Sequence, residues 1–476
     1  MIEQTITWYD PKQSDTVNLD MDSALNYLEN ECKTSNIYAW ANRDITVDTN
    51  PVLMYLAITN ACNHKCKVCA WKDEMRWGRD ENGEKQMGLM SLDLFKRIVD
   101  MMPEGVSRVY LQKTGESTLN KDLPAMMKYI KEQRPEIEVA MHSNATQLHK
   151  PEITNAILEY LDFFTISFFG VSRDTYNTAH GKKDFDLVFE NSLRFQEAYQ
   201  KSPRKPRVFF DYVSQQCNQN ESDEEVFEFF NKRFPDWSAG IHYTFNFQGF
   251  GEEGHLNIFD TLPYEQFPQC VLPWMAFTVL WDGKVDYCFV DPKESHFLGD
   301  VYENTISEIW NSEPYREFRR MMVEKRFDEM KEKEINCGNC SWLFGQKTQS
   351  ASTLALGKSK FAPQLKPRTN SHTIVDVKCT GQEYLLSGYL NFLKGEIGNA
   401  LKDFYLSKEV SSDVSVQNRA QAWIESCKKI FQQKKDVEAW EAHLQADGET
   451  LHNVHVSRYQ YSKADMVLTK SRKAAV

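Results

Sequence analysis

Between about residues 51 and 250, short apolar runs alternate with segments whose apolar positions recur every three to four residues. The runs predict buried strands, and the longer segments predict helices with one buried face. The predicted strands are 52–59, 107–112, 137–142, 163–169, 207–213 and 240–245. The predicted helices lie near 91–103, 121–133, 149–160, 184–200 and 222–233. This alternation predicts an α/β fold with a parallel sheet and crossover helices, six units in a partial (β/α)6 TIM-like barrel. Ligands of such sheets bind at the carboxyl ends of the strands.

The pattern changes on either side of this region. Residues 1–50 are polar with short amphipathic pieces, and we interpret them as an N-terminal extension that packs on the main domain. A small domain of β-hairpin and helices is predicted for 251–346, followed by a linker at 347–371 with Pro and polar residues. Residues 372–476 carry helical periods and predict a helical domain.

Within this helical domain, residues 384–404 predict two amphipathic helices around a Gly-containing turn, and 417–445 offers a second pair. The first pair resembles a tetratricopeptide-type repeat, which implies a possible protein partner. Such arrays normally need about three repeats to bury a core, so a helical domain that only packs on the rest of the chain stays open. We interpret Cys32, Cys379 and Cys427 as ordinary buried thiols.

Composition and charge narrow the classes of function. The 476 residues are 41% hydrophobic, which suffices for about two to four modules with their own cores. The net charge of −12 and a pI near 5.5 argue against a surface that follows phosphates, so we expect no nucleic-acid partner. The sequence shows no secretory signal and no apolar run near the roughly 18 residues of a membrane helix. We therefore expect a cytoplasmic protein with no membrane partner.

Eleven cysteines in such a chain indicate metal or redox chemistry more than disulfides. Three of them lie in the segment that follows the first predicted strand: Cys62, Cys66 and Cys69. Thiolates are the usual ligands of iron–sulfur clusters. A cubane has four irons, so three cysteines leave one iron free to bind a small molecule. A zinc site with His64 as fourth ligand, or three buried thiols, are the alternatives.

The spacing Cys-x3-Cys-x2-Cys after a first strand resembles the signature of the radical S-adenosylmethionine (SAM) enzymes. The resemblance implies a 4Fe-4S cluster on Cys62, Cys66 and Cys69 whose open iron chelates SAM. It also implies that reduction cleaves SAM to a 5′-deoxyadenosyl radical. Many members place an aromatic residue before the third cysteine to flank the adenine, whereas this chain has Val68 there, with Trp71 as a substitute.

Three further segments resemble SAM-contacting motifs of this family, in the same order along the chain. They follow the second, third and fourth predicted strands, where the family contacts the methionine amine, the ribose and the SAM carboxylate. The matching residues are Gly115, Glu116, Ser143, Asn144 and Ser167. Thr114 stands where the family has a first glycine, and a helix N-cap or ordinary turn explains the same residue types. The polar insertion at 73–90 is either a lid or a solvated loop.

A second set of cysteines falls in a region that predicts a β-hairpin. Apolar runs flank the Asp-Gly pair at 282–283, which is a hairpin signal. The hairpin would bring Cys270 and Cys288 together, and the Cys-x2-Cys pair of Cys337 and Cys340 would close on them.

This region resembles the SPASM/twitch extension of radical SAM enzymes. The resemblance includes a Pro-Trp pair at 273–274, a glycine five residues before Cys288 and a Glu-Ile-Trp-Asn helix. Full SPASM domains carry seven cysteines, whereas the four here are similar to those of the twitch-bearing dehydrogenase of an aminoglycoside precursor. The resemblance implies a second, auxiliary 4Fe-4S cluster. Four cysteines satisfy four irons, so its role would be electron transfer. A structural zinc ion stays open.

Cys217 follows the fifth predicted strand, near the face where the radical would form. A thiol there would donate a hydrogen atom to a substrate radical, and the enzyme would then be an epimerase. Burial of a lone cysteine is the alternative.

The most concrete function is oxidation of a secondary alcohol of a sugar or cyclitol, with the auxiliary cluster accepting an electron. Modification of a ribosomal peptide is the rival within the enzyme class. A zinc or iron–sulfur scaffold, or an electron-transfer protein without chemistry of its own, is the rival outside it. The resemblance also implies a reductant protein such as flavodoxin or ferredoxin.

Overall fold

The computed structural model describes residues 6–10, 15–19, 21–33, 35–70, 78–79, 85–86, 88–243, 270–340, 380–393 and 397–430. Two compact units divide the chain: the described parts of Asn50–Thr348, and those of Met1–Thr49 together with Gln349–Val476. The predictions for Trp71, for most of the 73–90 insertion, for Cys379 and for the 347–371 linker lie outside the described residues.

Strands and helices alternate along the described residues. The strands are β1 Ile6–Asp10, β2 Asp15–Leu19, β3 Leu53–Leu56, β4 Gly78–Arg79, β5 Lys85–Gln86, β6 Arg108–Tyr110, β7 Glu138–Ser143, β8 Phe163–Ser167, β9 Arg207–Ser214, β10 Ser238–Tyr243, β11 Ala276–Val279, β12 Lys284–Asp286 and β13 Phe297–Asp300. The helices are α1 Met21–Lys33, α2 Asn36–Asn42, α3 Leu92–Asp100, α4 Leu123–Gln133, α5 Pro151–Tyr160, α6 Arg173–His180, α7 Phe185–Lys201, α8 Asp223–Arg233, α9 Leu272–Met275, α10 Ile306–Trp310, α11 Glu313–Val323, α12 Phe327–Glu332, α13 Gly381–Leu393, α14 Ile397–Val410 and α15 Val414–Ile430. No helix among them is both long and apolar enough to cross a membrane.

Nine strands form one sheet in the order β10-β9-β8-β7-β6-β3-β11-β12-β13. From β10 to β3, all neighbours pair in parallel. They also follow one another in the chain, except that the separate pair of β4 and β5 lies between β3 and β6. This confirms the predicted α/β core of six parallel strands with crossover helices, in the open arrangement of a partial barrel. Strand β11 pairs in parallel with the free side of β3, and β12 and β13 continue antiparallel. The predicted hairpin region therefore extends the core sheet.

The outer face of the core sheet packs on the helices. Phe164, Ile166 and Phe210 are fully buried. The Phe164 ring meets Phe195 of α7 at a centroid distance of 5.4 Å, and the Phe210 ring meets Phe230 of α8 at 4.5 Å. Burial of each such side chain contributes about 1.5–3 kcal/mol to the free energy of unfolding. Because side chains alternate along a strand, the residues between these point to the inner face of the barrel.

Helix α6 is absent from the predicted elements. Its eight residues are mostly polar, so it has no clear apolar period. Its ends nevertheless carry sequence signals. The Ser172 hydroxyl accepts a hydrogen bond from the N–H of Thr175 at 3.3 Å, and Gly181 ends the helix in a left-handed conformation with φ +66°.

The hairpin predicted at the Asp-Gly pair is present as β11 and β12, with φ +92° at Gly283. Arg319 of α11 is buried near the rings of Trp310 and Tyr315, and its Nε donates to the carbonyl of Pro273 at 2.9 Å. The Pro-Trp pair and the Glu-Ile-Trp-Asn helix therefore belong to the core of this region.

The smaller unit combines N-terminal and C-terminal helices. The thiol of Cys32 donates to the carbonyl of Tyr389 at 3.5 Å, and Glu29 forms an ion pair with Arg419 at 2.5 Å. Helix α1 packs on α13, so the N-terminal extension belongs to the same compact unit as the C-terminal helices. That the extension packs on the main domain stays a prediction. Burial of Cys32 and Cys427 is confirmed. The second predicted helix pair is described only to residue 430, within α15.

Candidate active site

The cysteine loop, which carries Cys62, Cys66 and Cys69, follows β3 at the carboxyl end of the parallel strands. All three thiols are partly exposed and none forms a disulfide. Among the described residues, the only metal-binding group whose ligand atoms all lie within 4.8 Å of one another is His64, Cys66 and His180. The thiols of Cys62, Cys66 and Cys69 do not form such a group. Three thiolates are the number that leaves one iron of a 4Fe-4S cluster without a protein ligand.

Backbone hydrogen bonds fix the cysteine loop to the end of α6. The N–H of Lys65 donates to the carbonyl of His180 at 3.2 Å, and the N–H of Lys67 donates to the carbonyl of Ala179 at 2.9 Å. A Cβ at Gly181 would lie 2.4 Å from the carbonyl oxygen of Lys65, so only glycine allows this approach. The position of the cysteines therefore depends on a helix more than a hundred residues further along the chain.

Two buried histidines lie beside this loop. His64 Nε2 lies 2.9 Å from Asp184 Oδ2, and His64 Nδ1 lies 3.2 Å from His180 Nδ1. His180 Nδ1 is also 3.4 Å from Cys66 Sγ, while its Nε2 accepts the N–H of Phe169 at 3.2 Å. Burial first, and the neighbouring His64 second, hold the pKa of His180 well below its usual value. Burial favours a higher pKa for Asp184, but the hydrogen bond from His64, together with the charge of Lys182, outweighs it, so that pKa is lowered.

The sequence interpretation missed His180 and Asp184 and used His64 only as an alternative zinc ligand. The two missed residues follow His64 by 116 and 120 positions. The cap residues Ser172 and Gly181, which bound α6, are the sequence signals that would have placed His180 at a helix end.

Gly115 and Glu116 join the second core strand to the cysteine loop. Gly115 has φ +74°, and a Cβ there would lie 2.6 Å from the Ala61 oxygen and 2.7 Å from the Thr59 oxygen. The N–H of Glu116 donates to the same Ala61 oxygen at 2.7 Å. The close approach that requires this glycine is therefore to the chain segment that leads into Cys62.

The buried carboxylate of Glu116 collects hydrogen bonds. Its Oε1 accepts the N–H and the hydroxyl of Thr118 at 3.2 and 2.5 Å and the hydroxyl of Ser143 at 2.8 Å. Its Oε2 accepts the N–H of Asn144 at 2.7 Å. Three of the predicted SAM contacts thus lie together. Glu116 is also the N-cap of the short 3-10 helix Ser117–Leu119. The helix-cap interpretation of this segment is therefore correct as well. An ionised carboxylate has about four acceptor positions, so Oε2 has capacity for a further donor.

Asn144 ties the third core strand to the cysteine loop. Its Nδ2 donates to Asn63 Oδ1 at 2.8 Å, and Asn63 Nδ2 donates to the Thr146 hydroxyl at 2.8 Å. The Thr146 hydroxyl in turn donates to Asn144 Oδ1 at 2.7 Å, which completes a ring of polar groups. Ser167, the remaining predicted SAM contact, ends β8 with partial exposure.

Hydrogen-bonding side chains lie along the inner face of the sheet. The registers place Tyr110, His142, Ser167 and Asp211 on this face, and all four are partly exposed. Towards the amino ends of the strands, the carboxylate of Glu138 pairs with two arginines of the same face. The barrel interior is therefore polar where it meets the cysteine loop.

Cys217 lies in the short turn after β9, next to the cysteine loop. Together with Cys66 it packs against an apolar cluster of Val68, Phe169 and Ala179. Burial raises the pKa of the Cys217 thiol above its ordinary value, so the thiol keeps its hydrogen at neutral pH. The structure brings Cys217 to the cysteine loop, as its sequence position indicated.

The four cysteines of the hairpin region lie close to one another. Burial raises the pKa of Cys270 to about 12, and the charge of Cys340 adds to the rise. Burial also raises the pKa of Cys337 well above its usual value, with further contributions from Cys288, Cys340 and Cys270. Each thiol lies near enough to affect the others, so they surround one site. Four thiols around one site supply the four ligands that a 4Fe-4S cluster takes.

Lys113 connects the hairpin region to the core. Its buried Nζ lies 3.0 Å from Asp286 Oδ2 and 2.8 Å from Glu294 Oε1, and it donates to the carbonyl of Asp291 at 2.7 Å. Burial favours a lower pKa for Lys113, but the three carboxylates outweigh it and raise the pKa. The lysine two residues before Gly115 thus contacts the chain on both sides of Cys288.

Comparison with known families identifies the family to which this fold belongs. A sequence model of the radical SAM superfamily matches residues 56–229, and one of SPASM, an iron-sulfur cluster-binding domain, matches residues 270–341. The chain belongs to the radical SAM superfamily and carries a SPASM domain. It therefore belongs to a class of enzymes that bind SAM and a 4Fe-4S cluster. The SPASM domain of such enzymes binds auxiliary iron–sulfur clusters.

Individual proteins match at low similarity. The "GTP 3′,8-cyclase" of Sulfurovum sp. (strain NBC37-1) is 30% identical over 90 residues, 19% of this chain and 26% of that protein. The protein of the same description from Campylobacter curvus (strain 525.92) is 29% identical over 93 residues, 20% of this chain and 27% of that protein. The chain spans about a quarter of the length of these relatives.

Solved structures also match this chain at low similarity, and BtrN and SuiB are two of them. BtrN in complex with AdoMet and 2-DOIA has 18% identity and a TM-score of 0.40, with 62% of this chain and 94% of that chain covered. Streptococcus suis SuiB bound to precursor peptide SuiA has 14% identity and a TM-score of 0.43, with 56% of this chain and 66% of that chain covered.

Proposed function

We propose that this enzyme oxidises a secondary alcohol of a sugar- or cyclitol-type substrate to a ketone. The observation that carries the proposal is the polar inner face of the sheet, with Tyr110, His142, Ser167 and Asp211 partly exposed next to the cysteine loop. Sites that hydrogen-bond a substrate hydroxyl discriminate strongly against analogues that lack it, because their polar groups are then left unpaired.

Each predicted ligand has a proposed role. We assign Cys62, Cys66 and Cys69 to the SAM-binding cluster and Cys270, Cys288, Cys337 and Cys340 to the auxiliary cluster. The proposed SAM contacts are Gly115, Glu116, Ser143, Asn144 and Ser167. The observation in favour is that Glu116 Oε2 has acceptor capacity for an ammonium group, to which a carboxylate forms a charge-assisted hydrogen bond.

When bound, SAM and its cluster supply a radical that removes a hydrogen atom from carbon, and the auxiliary cluster supplies an acceptor for the remaining electron. The chain itself binds the substrate hydroxyls and presents the carbinol C–H. His142 and Asp211 on the inner face are the groups that can accept the hydroxyl proton. The carbinol thus loses one hydrogen atom, one proton and one electron, and the C=O bond forms.

Anaerobic turnover tests this proposal. Purified enzyme is incubated with dithionite, SAM and a panel that contains hexoses, cyclitols, aminocyclitols and short peptides. We expect 5′-deoxyadenosine and a ketone in equal amounts with a member of the sugar or cyclitol group. Formation of a modified peptide, with no stimulation by any polyol, would show that the substrate class is wrong.

A matched pair of variants tests the proton acceptor. Asp211→Asn removes a carboxylate from the inner face, and we expect it to lower ketone formation about 10²-fold, the lower range for loss of a general base. Asp236→Asn is the control, because Asp236 is exposed and accepts from Gln200 at 2.8 Å on the outer helices. Equal activities of the two variants would exclude Asp211 from the reaction.

We also propose that a cytoplasmic reductant protein such as flavodoxin or ferredoxin supplies the electron. In support, none of the ten described cysteines forms a disulfide, as is usual in a reducing compartment. The C-terminal helices α13, α14 and α15 are a proposed binding surface for a protein partner. A pull-down with the reductant is carried out on the full chain and on a variant that lacks the helical region. The comparison separates binding of the reductant from binding of a partner to the helices.

Epimerisation is the second candidate, and the position of Cys217 beside the cysteine loop favours it. The thiol would return a hydrogen atom to the substrate carbon from the opposite face. Turnover in D2O is then expected to place deuterium at an inverted carbon, and Cys217→Ala is expected to abolish this. Cys427→Ala, which changes a buried thiol of the smaller unit, is the control. Unchanged product stereochemistry in Cys217→Ala would exclude this role.

A further inference from the structure

The contacts of His180 determine which of its ring nitrogens carries a hydrogen. The backbone N–H of Phe169 donates to His180 Nε2 at 3.2 Å, so Nε2 presents a lone pair. The ring is fully buried. A neutral imidazole with a lone pair on Nε2 carries its hydrogen on Nδ1. His180 is therefore a donor at Nδ1.

Two acceptors face this donor. His180 Nδ1 lies 3.4 Å from Cys66 Sγ and 3.2 Å from His64 Nδ1. His64 is held in the matching state, because its Nε2 faces Asp184 Oδ2 at 2.9 Å and donates to that carboxylate, which leaves a lone pair on Nδ1. Binding of a metal ion through Nδ1 would move the ring hydrogen to Nε2, where it would face the N–H of Phe169.

The His180 ring is fixed on both faces. It stacks on Phe169 at a centroid distance of 4.6 Å and on Tyr176 at 4.2 Å. Its carbonyl accepts the N–H of Lys65, one residue before Cys66. The donor and the sulfur are thus held close together by the backbone as well as by the side chain. The Nδ1–H is shared between Cys66 Sγ at 3.4 Å and His64 Nδ1 at 3.2 Å.

We propose that the Nδ1–H of His180 donates a hydrogen bond to the Cys66 thiolate and raises the reduction potential of the cluster that Cys66 holds. Reduction adds negative charge to a cluster and its sulfur ligands, and a donor to sulfur stabilises the more negative state. His180 is a positioning residue that acts through Cys66, and His64 and Asp184 keep its hydrogen in place. This inference rests on Cys66 as a cluster ligand, as proposed above.

A redox titration followed by EPR tests the inference on the full-length enzyme with both clusters reconstituted and without substrate. The part of the signal that changes on SAM addition belongs to the SAM-binding cluster. His180→Phe keeps an aromatic ring and removes the donor. At the wild-type midpoint potential we expect its ratio of reduced to oxidised cluster to fall about tenfold, equivalent to about 59 mV for a one-electron couple.

Two further variants make the result specific. His180→Asn places an amide N–H near the position of Nδ1, and we expect it to restore the ratio to within about threefold of wild type. His149→Phe is the control and is expected to leave the ratio unchanged, because His149 is exposed and its Nδ1 faces the Thr146 carbonyl at 3.1 Å. An unchanged midpoint in His180→Phe overturns the inference.

If His180→Phe holds fewer irons than wild type, His180→Gln replaces it in the measurement. The glutamine amide reaches the position of Nε2 and not that of Nδ1, so it places no donor at Cys66. A lowered midpoint in His180→Gln and a normal one in His180→Asn support the inference, and equal midpoints overturn it. The potential is measured without substrate, so absence of a ketone product would contradict the proposed function alone. A cluster signal that does not respond to SAM would contradict the assignment of Cys66.

Discussion

Lys113 Nζ lies 3.0 Å from Asp286 Oδ2, and both side chains are completely buried. The lysine follows the second core strand, and the aspartate ends β12, two residues before Cys288. Asp291 and Glu294 complete the surroundings of the cation. One buried lysine therefore connects the segment of the proposed SAM contacts to the segment of an auxiliary ligand.

Lys113→Met tests this connection through stability. The variant leaves three carboxyl groups without their cation, and loss of one partner of a buried ion pair costs about 3–5 kcal/mol of the free energy of unfolding. We expect a loss in that range in a urea titration followed by fluorescence.

Lys128→Met is the matched control for this measurement. Lys128 forms an exposed pair with Glu132 at 3.7 Å, and such pairs contribute about 0–1 kcal/mol. Equal losses in the two variants would show that the buried network around Lys113 contributes no more than a surface pair.

Gly115→Ala is expected to disturb the cysteine loop. The φ of +74° disfavours a side chain, at a cost of about 1–3 kcal/mol. In addition, the new Cβ would lie 2.6 Å from the Ala61 oxygen and push the segment that leads into Cys62. We expect reduced stability together with a loss of about half of the iron, measured by thermal unfolding and iron analysis.

Gly105→Ala separates the two causes. Gly105 has φ +97° but no atom within 4 Å of a new Cβ, so only the backbone penalty applies. This variant is expected to lose stability and keep its iron. Loss of iron from Gly105→Ala, or full iron in Gly115→Ala, would contradict the explanation.

Local sequence patterns predicted the strands, most helices, the hairpin at Gly283 and both cysteine sets, because periodicity and ligand spacing are properties of neighbouring residues. They did not predict that His180 contacts Cys66 or that Lys113 pairs with Asp286. Those contacts depend on how distant elements pack, which no short segment encodes. The same holds for α1, whose apolar side fits a barrel surface and a helical bundle equally well. Its packing with α13 follows only from the tertiary structure.

Glu116→Gln tests the proposed contact with SAM. The carboxylate loses its charge, and the new amide group faces donors from Thr118, Ser143 and Asn144. We expect the Kd for SAM to rise about tenfold, which corresponds to about 1.4 kcal/mol. Isothermal titration calorimetry on the reconstituted enzyme measures it.

Glu221→Gln is the control, because it removes a carboxylate that accepts several hydrogen bonds but is not a proposed SAM contact. Glu221 accepts from the N–H groups of Val171 and Ser172 and from the hydroxyl of Tyr212, at 2.9, 3.0 and 2.8 Å. It is expected to lower stability and leave the Kd for SAM within twofold of wild type. An unchanged Kd in Glu116→Gln would remove Glu116 from the SAM contacts.

Cys288→Ser tests the auxiliary cluster by metal content. Two clusters of four irons give about eight irons per chain, and loss of one ligand from a buried four-thiolate site is expected to reduce this to about four. The EPR signal that responds to SAM should remain, because Cys62, Cys66 and Cys69 are unchanged. Cys427→Ser, in the core of the smaller unit, is expected to keep about eight irons. About four irons together with zinc in the wild-type protein would contradict the assignment of these four thiols to an iron–sulfur cluster.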